Sequence, residues 1–378
     1  MLGWMSLICI YQIMKQFKSF MALALAICLA GCGSSSTAST STAESESVAP
    51  AASNSTEEKI PLKISHHPYI HALPTVYAEQ NGLYDMFDYT VDYYSGGPVQ
   101  NEAIASDAWE VGTTGIAGAV LGITGYNMKV IGIACDESTV TDMWCRNDSP
   151  LASAAVGPNG IIGTADDWRG LTILMANGTN THMMLIAELN ALGLTESDVN
   201  IIDCSSVPNV YTAFISGQGD VACLWSPYGY SLTDDGGYTK LGTIADLGIE
   251  LPSLVVCTEK ANNERPEVVE KWLGQYFKAA DALRADETMA AEMLYNFEQD
   301  QGIVMEEKNA ALEIKNREFW SVEKNKEYFE TDSDGKSKIY NIIMSYAQFM
   351  LSQDKITQEQ YDNMSKGDFV GSYILDLE

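Results

Sequence analysis

The sequence lacks the motifs that identify common enzyme classes, and it is poor in histidine. Its 378 residues contain no GxSxG nucleophile elbow, no HExxH metal motif, no Walker loop and no GxGxxG turn. Three of its four histidines, His66, His67 and His71, lie in one loop, so a nucleophile, a base and an acid from separate segments are hard to assemble. The sequence therefore predicts no catalytic residue, no cofactor and a protein that is not an enzyme.

Basic residues are also scarce. Lys and Arg total 22 against 51 Asp and Glu, which gives a formal net charge of −29 at pH 7. A field of that sign disfavours nucleic acid and anionic lipid surfaces as partners, because both are negatively charged. The acidic balance does not select a small ligand, since a site can be neutral or positive inside an acidic protein. We therefore expect no nucleic-acid partner.

The eight cysteines form no CxxC pair, so a zinc knuckle or a thioredoxin-type site has no support. His67 and His71 have the spacing of two metal ligands on one helix turn, but two prolines in and after this stretch disfavour a helix there. We expect no metal site. A disulfide between Cys135 and Cys145 stays open, because spacing does not determine connectivity.

No apolar run near the N-terminus is long enough to cross a bilayer. A short apolar run at residues 20–27 follows Lys15 and Lys18, and Leu-Ala-Gly-Cys ends the segment at Cys32. This pattern is typical of a bacterial lipoprotein signal, in which the thiol receives lipid and the chain is cut before it. We expect residues 1–31 to be the signal peptide and residues 32–59 a polar tether. Lipid on Cys32 would hold the protein at the cell surface or periplasmic side of the cytoplasmic membrane. A plain secretion signal or a membrane helix is the alternative.

From residue 60 onward, short apolar runs alternate with helical periodicities. The predicted strands and helices of the first series are, in order, residues 61–65, 74–81, 89–94, 99–108 and 128–134. The same alternation restarts at residue 171, with predicted strands and helices at residues 171–175, 181–192, 199–203, 207–216 and 221–225. Long helices follow a last strand at residues 254–258, and the first of them, at residues 266–284, has an apolar stripe of Val268, Val269, Trp272 and Leu273. Strands alternating with helices are typical of mostly parallel sheets covered by helices on both faces. The sequence therefore predicts the α/β class.

Two segments rich in Gly and Thr are predicted as turns between a strand and a helix, the first after a short strand at residues 109–111 and the second after the strand at residues 171–175. The first Gly-Thr segment is residues 112–115, with Thr113 and Thr114 between two glycines, and the second is residues 177–180. The candidate residues of the second are Asn177, Gly178, Thr179 and Asn180. Unpaired N–H groups at a helix start suit an anion, and glycine lets the backbone approach a ligand. Ordinary helix capping is the alternative.

Two further loops supply candidate ligand contacts. His66, His67 and Tyr69 follow the first predicted strand, and Trp225 and Tyr228 follow the last strand of the second series. Ligands of open α/β sheets bind beyond the carboxyl ends of the strands, where imidazoles can donate hydrogen bonds and aromatic rings can stack. A loop packed on its own sheet and a structural tryptophan are the alternatives.

These residues resemble the binding proteins for nitrate, sulfonates and taurine, which are related to the thiamine-pyrimidine-precursor binding family. The likeness is densest over residues 167–228 and covers residues 60–254. The matching features are Gly178 with Thr179, Gly193 with Leu194, Asp198 with Val199, the Gly-Gln-Gly-Asp sequence at 217–220, and Trp225 to Tyr228. Val221 and Ser226 depart from the family pattern. The resemblance implies that Tyr69, Thr113, Thr114, Gly178, Thr179, Asn180 and Tyr228 contact the ligand.

The resemblance also implies a two-lobed, type II periplasmic-binding-protein-like fold, in which each lobe is a mostly parallel sheet flanked by helices. We expect lobe 1 at residues 60–140 plus 253–378 and lobe 2 at residues 141–252. The implied function is capture of a small anionic or zwitterionic solute between the lobes and its delivery to an ABC permease. An enzyme or precursor-binding protein of the thiamine-pyrimidine type and a cell-surface lipoprotein that binds a protein partner remain alternatives.

Overall fold

The computed structural model describes residues 58–157 and 160–378. The predicted signal peptide, the lipidation residue Cys32 and nearly all of the predicted tether lie outside these residues. Among the helices of the described part, none is both long enough and apolar enough to cross a membrane.

The first sheet has five strands, of which four run in the same direction. They are β1 (Ile60–His66), β2 (Phe87–Tyr93), β3 (Val111–Gly115), β4 (Lys129–Asp136) and β10 (Pro252–Cys257). Their order across the sheet is β2-β1-β3-β10-β4. Strand β1 is parallel to β2 and β3, whereas β10 is antiparallel to both of its neighbours.

The second sheet repeats this plan. Its strands are β5 (Thr141–Arg146), β6 (Thr172–Met175), β7 (Asn200–Asp203), β8 (Val221–Trp225) and β9 (Tyr238–Thr243). They lie in the order β7-β6-β8-β5-β9, with β6 parallel to β7 and β8 and with β5 antiparallel to β8 and β9. The chain passes to this sheet after β4 and returns to the first sheet at β10. The predicted lobe limits at residues 140 and 252 stay a prediction.

Fifteen α-helices accompany the strands in the described residues. They are α1 (Leu73–Gln80), α2 (Gly97–Ile104), α3 (Ile116–Tyr126), α4 (Ala165–Trp168), α5 (Asn180–Ala191), α6 (Val207–Ile215), α7 (Tyr228–Asp235), α8 (Glu259–Glu264), α9 (Pro266–Ala285), α10 (Glu287–Asp300), α11 (Glu307–Asn316), α12 (Val322–Phe329), α13 (Lys338–Ser352), α14 (Gln358–Lys366) and α15 (Tyr373–Asp376). The predicted α/β class with two mostly parallel sheets is confirmed.

The helical tail after β10 packs on the first sheet's helices. Helix α9 contacts α1, and α13 and α14 contact α3. The apolar stripe predicted for α9 is confirmed, because Val269, Trp272 and Leu273 are buried. Burial of this stripe attaches the helical tail to the helices of the first sheet.

The first Gly-Thr segment differs from its prediction. Residues 112–115 are not a turn but the last four residues of β3. Strand β3 lies between β1 and β10, and the Ser65 carbonyl oxygen comes so close that a Cβ on Gly112 would lie 1.9 Å from it. Glycine is therefore needed here for close packing of two strands, not to turn the chain.

Cysteines contribute to the core without forming a bridge. Cys135 and Cys145, the pair considered for a disulfide, are both buried and have free thiols. The sheets hold them apart, since Cys135 lies on β4 of the first sheet and Cys145 on β5 of the second. The structure therefore contradicts that pairing.

Candidate functional site

A small cavity lies where residues from both sheets meet. It has a volume of about 30 Å³. Its wall includes five residues that the sequence predicted as ligand contacts, namely His67, Tyr69, Thr179, Asn180 and Trp225. The rings of Tyr69 and Trp225 meet edge to face with their centroids 5.7 Å apart, which gives the cavity an aromatic side.

The other six predicted residues of the described part do not line this cavity. His66 and Thr113 are buried and bonded to each other, and Thr114 is buried with a hydroxyl that has no partner in the part of the chain described. Tyr228 is buried beside Tyr211, Gly178 is half-buried and Asn177 is exposed. Contact of these six with a ligand stays a prediction.

The histidines near the cavity are buried and neutral. His66 lies between two hydroxyls, 2.7 Å from Thr113 Oγ1 and 2.8 Å from Thr75 Oγ1, while His67 Nε2 lies 3.2 Å from Gln100 Oε1. Burial, with smaller effects of neighbouring charges, lowers the pKa of His67 to about 3 and the pKa of His66 well below its ordinary value. Neutral imidazoles hydrogen-bond a ligand without adding positive charge.

An ion cluster that sequence reasoning missed forms another wall. Arg317, which follows α11, donates from Nη1 to Glu313 Oε1 at 2.8 Å and from Nη2 to Glu137 Oε1. Ser226 Oγ also donates to Glu313 Oε1, at 2.6 Å. Burial acts to raise the pKa of Glu137, but the charge of the Arg317 guanidinium opposes it, and this pKa is held at about 2. Glu137 is therefore a carboxylate at neutral pH, paired with a buried cation.

Little in the sequence could have revealed this cluster. Glu313 and Arg317 have the i, i+4 spacing of a helical ion pair, but that spacing is common on solvated helix faces. Arg317 and Glu137 are 180 residues apart, so only the packing of the tail on the first sheet brings them together. The i, i+4 pair was the one available signal, and it carries no information about burial.

Asn180 links the two sheets. Its Oδ1 accepts a hydrogen bond from the backbone N–H of Ala117 at 3.0 Å, and its Nδ2 donates to Glu137 Oε2 at 2.9 Å. Gly115 makes room for this amide, because a Cβ there would lie 2.5 Å from Nδ2. Ala117 is in the first turn of α3, so a side chain of the protein occupies the helix start at which a ligand was expected.

Three side-chain N–H donors of the cavity-lining residues have no acceptor in the described structure. They are Trp225 Nε1, His71 Nε2 and Arg317 Nε. Nδ1 of His71 lies 3.3 Å from Arg317 Nη2, which can only donate, and the Glu137 carboxylate is farther away at 3.5 Å. Nδ1 therefore accepts, and the proton of the neutral ring lies on Nε2. Burial is the main cause of the lowered pKa that keeps this ring neutral.

The residues described hold no group of three or more His, Cys, Asp or Glu side chains arranged to bind a metal ion. What the cavity offers is a mixture of hydrogen-bond donors, one ion pair network and two aromatic rings. Such a wall can hold a small polar solute by hydrogen bonds and by contact with ring surfaces. None of these groups is an obvious nucleophile.

Known proteins resemble this chain in sequence and in fold. The family model described as NMT1/THI5 like matches residues 73–290, more than half of the chain. A protein of Brachyspira hyodysenteriae, whose name assigns it to the ABC transporter periplasmic binding proteins, is 27% identical over 315 residues, which are 82% of this chain and 87% of that one.

Solved structures share the fold at low sequence identity. The alkanesulfonate-binding protein SsuA of Xanthomonas axonopodis pv. citri, bound to MOPS, has a TM-score of 0.64 at 18% identity, covering 80% of this chain and 96% of its own. The nitrate-binding protein NrtA of Synechocystis PCC 6803 has a TM-score of 0.64 at 10% identity, covering 84% and 88%. The Candida albicans CA3427 product, titled as having the generic periplasmic binding protein fold, has a TM-score of 0.61 at 12% identity, covering 82% and 96%. The chain belongs to the NMT1/THI5-like family and has the two-lobed periplasmic binding protein fold.

Proposed function

We propose that this protein is the solute-binding subunit of an ABC-type importer. It would hold a small anionic or zwitterionic solute, such as a sulfonate, nitrate or a carboxylate, in the cavity at Tyr69 and Trp225, and deliver it to a membrane permease. The names of the relatives support this assignment, since the Brachyspira protein is a transporter binding protein and two structural relatives bind a sulfonate and nitrate.

The unpaired donors of His71, Trp225 and Arg317 carry the assignment of the solute. Buried N–H groups in proteins nearly always have an acceptor, because an unmade hydrogen bond costs free energy. Three such donors in one cavity wall, one of them on a guanidinium, suit a solute with exposed acceptor atoms, and carboxylate, sulfonate and nitrate groups have two or three of them. Tyr69 and Trp225 would cover the apolar part of the solute.

The size of the cavity favours a mechanism in which the lobes close on the solute. A cavity of about 30 Å³ is far smaller than the roughly 300–1,000 Å³ of ordinary ligand pockets. A larger solute therefore needs the two sheets to move apart before it enters. The hydrogen bond from Ala117 to Asn180 is one of the contacts that opening would break. A solute that bonds to both lobes shifts the equilibrium towards the closed form.

Binding without chemistry agrees with the state of the histidines. Both ring nitrogens of His66 already have hydroxyl partners, and His67 has an amide partner. A histidine that acts as a base or as a reactant needs a free, unprotonated nitrogen near the substrate. The free nitrogen of His71 is Nε2, which carries the proton and can only donate. The same solute-capture role agrees with attachment of lipid to Cys32, which would keep the protein beside its permease on the outer side of the membrane.

Replacement of Trp225 by Phe tests the assignment. Trp225→Phe keeps an aromatic ring and removes the Nε1 donor, so affinity for an acceptor-bearing solute should fall about 10-fold to 100-fold, as expected for a hydrogen bond to a charged group. Titration calorimetry with nitrate, ethanesulfonate, 2-aminoethanesulfonate, butyrate and 4-aminobutyrate measures the loss. A probe at about 100 times its dissociation constant should also stabilise the fold by about 2.7 kcal/mol.

Trp144→Phe is the matched control. Trp144 is a buried tryptophan of the second sheet whose Nε1 also lacks a partner in the described residues, yet it does not line the cavity. The Trp144→Phe variant should bind every probe with the affinity of the unaltered protein. Equal affinity of Trp225→Phe and the unaltered protein, or equal losses in both variants, would contradict the proposal.

A further inference from the structure

Two fully buried carboxyl groups of the helical tail have oxygens without hydrogen-bond partners. Glu298 on α10 is 0% exposed, and neither of its side-chain oxygens has a partner in the described residues. Glu313 on α11 is 1% exposed; its Oε1 is bonded to Arg317 and Ser226, whereas its Oε2 has no partner there. Helices α10 and α11 pack against each other, so these three buried acceptor atoms without donors lie on one helix pair, and such atoms are costly unless something donates to them.

These carboxyl groups adjoin the cavity. Tyr69 and Arg317 line the cavity wall. The same two residues neighbour the acids, since Arg317 pairs with Glu313, and the charge of Glu298 helps to raise the pKa of Tyr69 to about 12, to which burial contributes most. The charge of Glu298 also contributes to the raised pKa of Tyr228, the main cause of which is burial. Ile303, whose N–H donates to the Glu298 carbonyl oxygen at 2.8 Å, packs in the same apolar cluster as Tyr69 and Tyr228. The acid pair therefore adjoins the Tyr69 side of the cavity without lining it.

The charges of this region do not suit a simple anion. Arg317 is the cation of the cluster, and it already faces two carboxyl groups, Glu137 and Glu313. An anionic solute would add a further negative charge to a buried group in which acids outnumber bases. Burial of unbalanced charge is costly, and a positive group on the solute removes that cost.

We infer that Glu298 and Glu313 form a subsite for a positively charged nitrogen, and that the solute is a zwitterion. Its acidic group would accept from His71 and Trp225, and its ammonium group would donate to the unpaired carboxyl oxygens on the Tyr69 side. This inference rests on the proposed function and narrows it from anions and zwitterions to zwitterions. The two carboxyl groups lie beyond residue 290, outside the part of the chain that the family model matches.

Proton release should accompany binding. Burial and the charge of Glu313 raise the pKa of Glu298 well above its ordinary value, while Arg317 acts in the opposite direction. The other titratable groups facing Glu298 are the hydroxyls of Tyr69 and Tyr228. The raised pKa favours the protonated form of Glu298 in the ligand-free protein. An ammonium group favours the ionised form, so binding releases up to about one proton to the buffer.

Matched pairs of probes test the inference on the purified protein. We would compare 2-aminoethanesulfonate with ethanesulfonate and 4-aminobutyrate with butyrate, by calorimetry in two buffers of different ionisation enthalpy. In at least one pair the amino compound should bind about tenfold more tightly or better. Its binding should also release a proton, whereas the plain anion should release none.

Glu298→Gln and Glu313→Gln identify the residues responsible. Each variant should bring the amino compound close to the affinity of its plain counterpart and leave the plain anion within about twofold, because a neutral amide cannot balance an ammonium charge. Proton release should disappear in Glu298→Gln. Glu292→Gln on the exposed face of the same helix is the control and should change nothing.

Each result has a distinct meaning. If the plain anions bind as tightly as the amino compounds, or if both Gln variants keep the preference, the zwitterion inference is wrong and the proposed capture of an acceptor-bearing solute stands. If none of the four probes binds, the acceptor assignment on which this inference rests is overturned, and the inference with it.

Discussion

The two Gly-Thr segments look alike in sequence and differ in structure. Residues 112–115 are buried in β3, between two strands of the first sheet. Residues 177–180 leave the second sheet at an exposed residue, Asn177, and enter α5. The first segment is fixed by the backbone around it. The second is held by side chains, since Asp203 accepts from the N–H of Asn177 and His182 Nδ1 accepts from the N–H of Gly178.

The comparison shows that a side chain of the protein can occupy a helix start at which a ligand was expected. A helix start attracts acceptor atoms, and here the acceptor at the start of α3 is the amide oxygen of Asn180 from the second segment. The two segments therefore contact each other across the sheets, and neither works alone as an anion cradle. The donors of the cavity wall that remain unpaired in the described structure are side-chain N–H groups of His71, Trp225 and Arg317 instead.

The largest effect should come from a methyl group in the first segment. Gly112→Ala puts a Cβ 1.9 Å from the carbonyl oxygen of Ser65, and two backbones in a sheet cannot move apart easily. We expect a loss of about 3 kcal/mol or more in unfolding free energy, measured by urea denaturation. Gly178→Ala, in the second segment, meets only side-chain carbons at 3.3 Å and a φ of +69°, and should cost about 1–2 kcal/mol.

Gly125→Ala is the control for the substitution itself. Gly125 lies in α3, and a Cβ there meets nothing within 4 Å, so alanine should stabilise the helix by up to about 1 kcal/mol. If Gly178→Ala costs as much as Gly112→Ala, the contrast between a backbone-fixed and a side-chain-held segment is wrong.

A medium effect should come from removing the link between the segments. Asn180→Ala leaves the N–H of Ala117 and Oε2 of Glu137 without their partner in a buried place. Loss of these bonds should lower the unfolding free energy by about 1–3 kcal/mol in the same urea assay. Asn177→Ala at the exposed end of the segment should change it by less than about 0.5 kcal/mol. Similar values for both variants would mean that Asn180 does not link the sheets.

The fold is more accessible from the sequence than the site. The strand Val221–Trp225 has the limits that the sequence predicts, because a short apolar run between turn residues is typical of a buried strand. The order of strands and helices follows from the same local patterns. The prediction for residues 112–115 is wrong because Gly and Thr are typical of turns, and only their neighbours in the sheet show why glycine is required.

The site depends on contacts that no local pattern records. Asn180 and Ala117 are 63 residues apart, and Arg317 and Glu137 are 180 apart. Aromatic and Gly-Thr motifs correctly indicate the loops that meet at the cavity, since strand ends of open sheets converge there. The acids of the tail are invisible at the level of sequence, because a buried Glu and a solvated Glu look the same until the packing of the helix is known.

The smallest effect on stability should come from replacing His182, whose hydrogen bond supports the second segment. Nδ1 of His182 accepts from the N–H of Gly178 at 3.1 Å, so its Nε2 carries the proton and donates to Glu196 Oε1 at 2.8 Å. Burial is the main cause of the lowered pKa of His182, with Lys355 adding to it and Glu196 opposing it. His182→Gln should cost about 1 kcal/mol at pH 7, from the lost hydrogen bonds.

The stability difference between the unaltered protein and His182→Gln should narrow as the pH falls. Whether it narrows or widens shows whether His182 is neutral or charged. A histidine whose pKa is lower in the folded state than its ordinary 6.5 contributes stability above pH 6.5 and loses it below, because the unfolded chain then takes up a proton that the folded one does not. His182→Gln has no such pH-dependent contribution, so the unfolding free energies of the variant and the unaltered protein should lie closer together at pH 5 than at pH 7. A gap that widens at pH 5 would show instead that a charged His182 pairs with Glu196. The second segment would then be held by an ion pair and not by a neutral hydrogen bond.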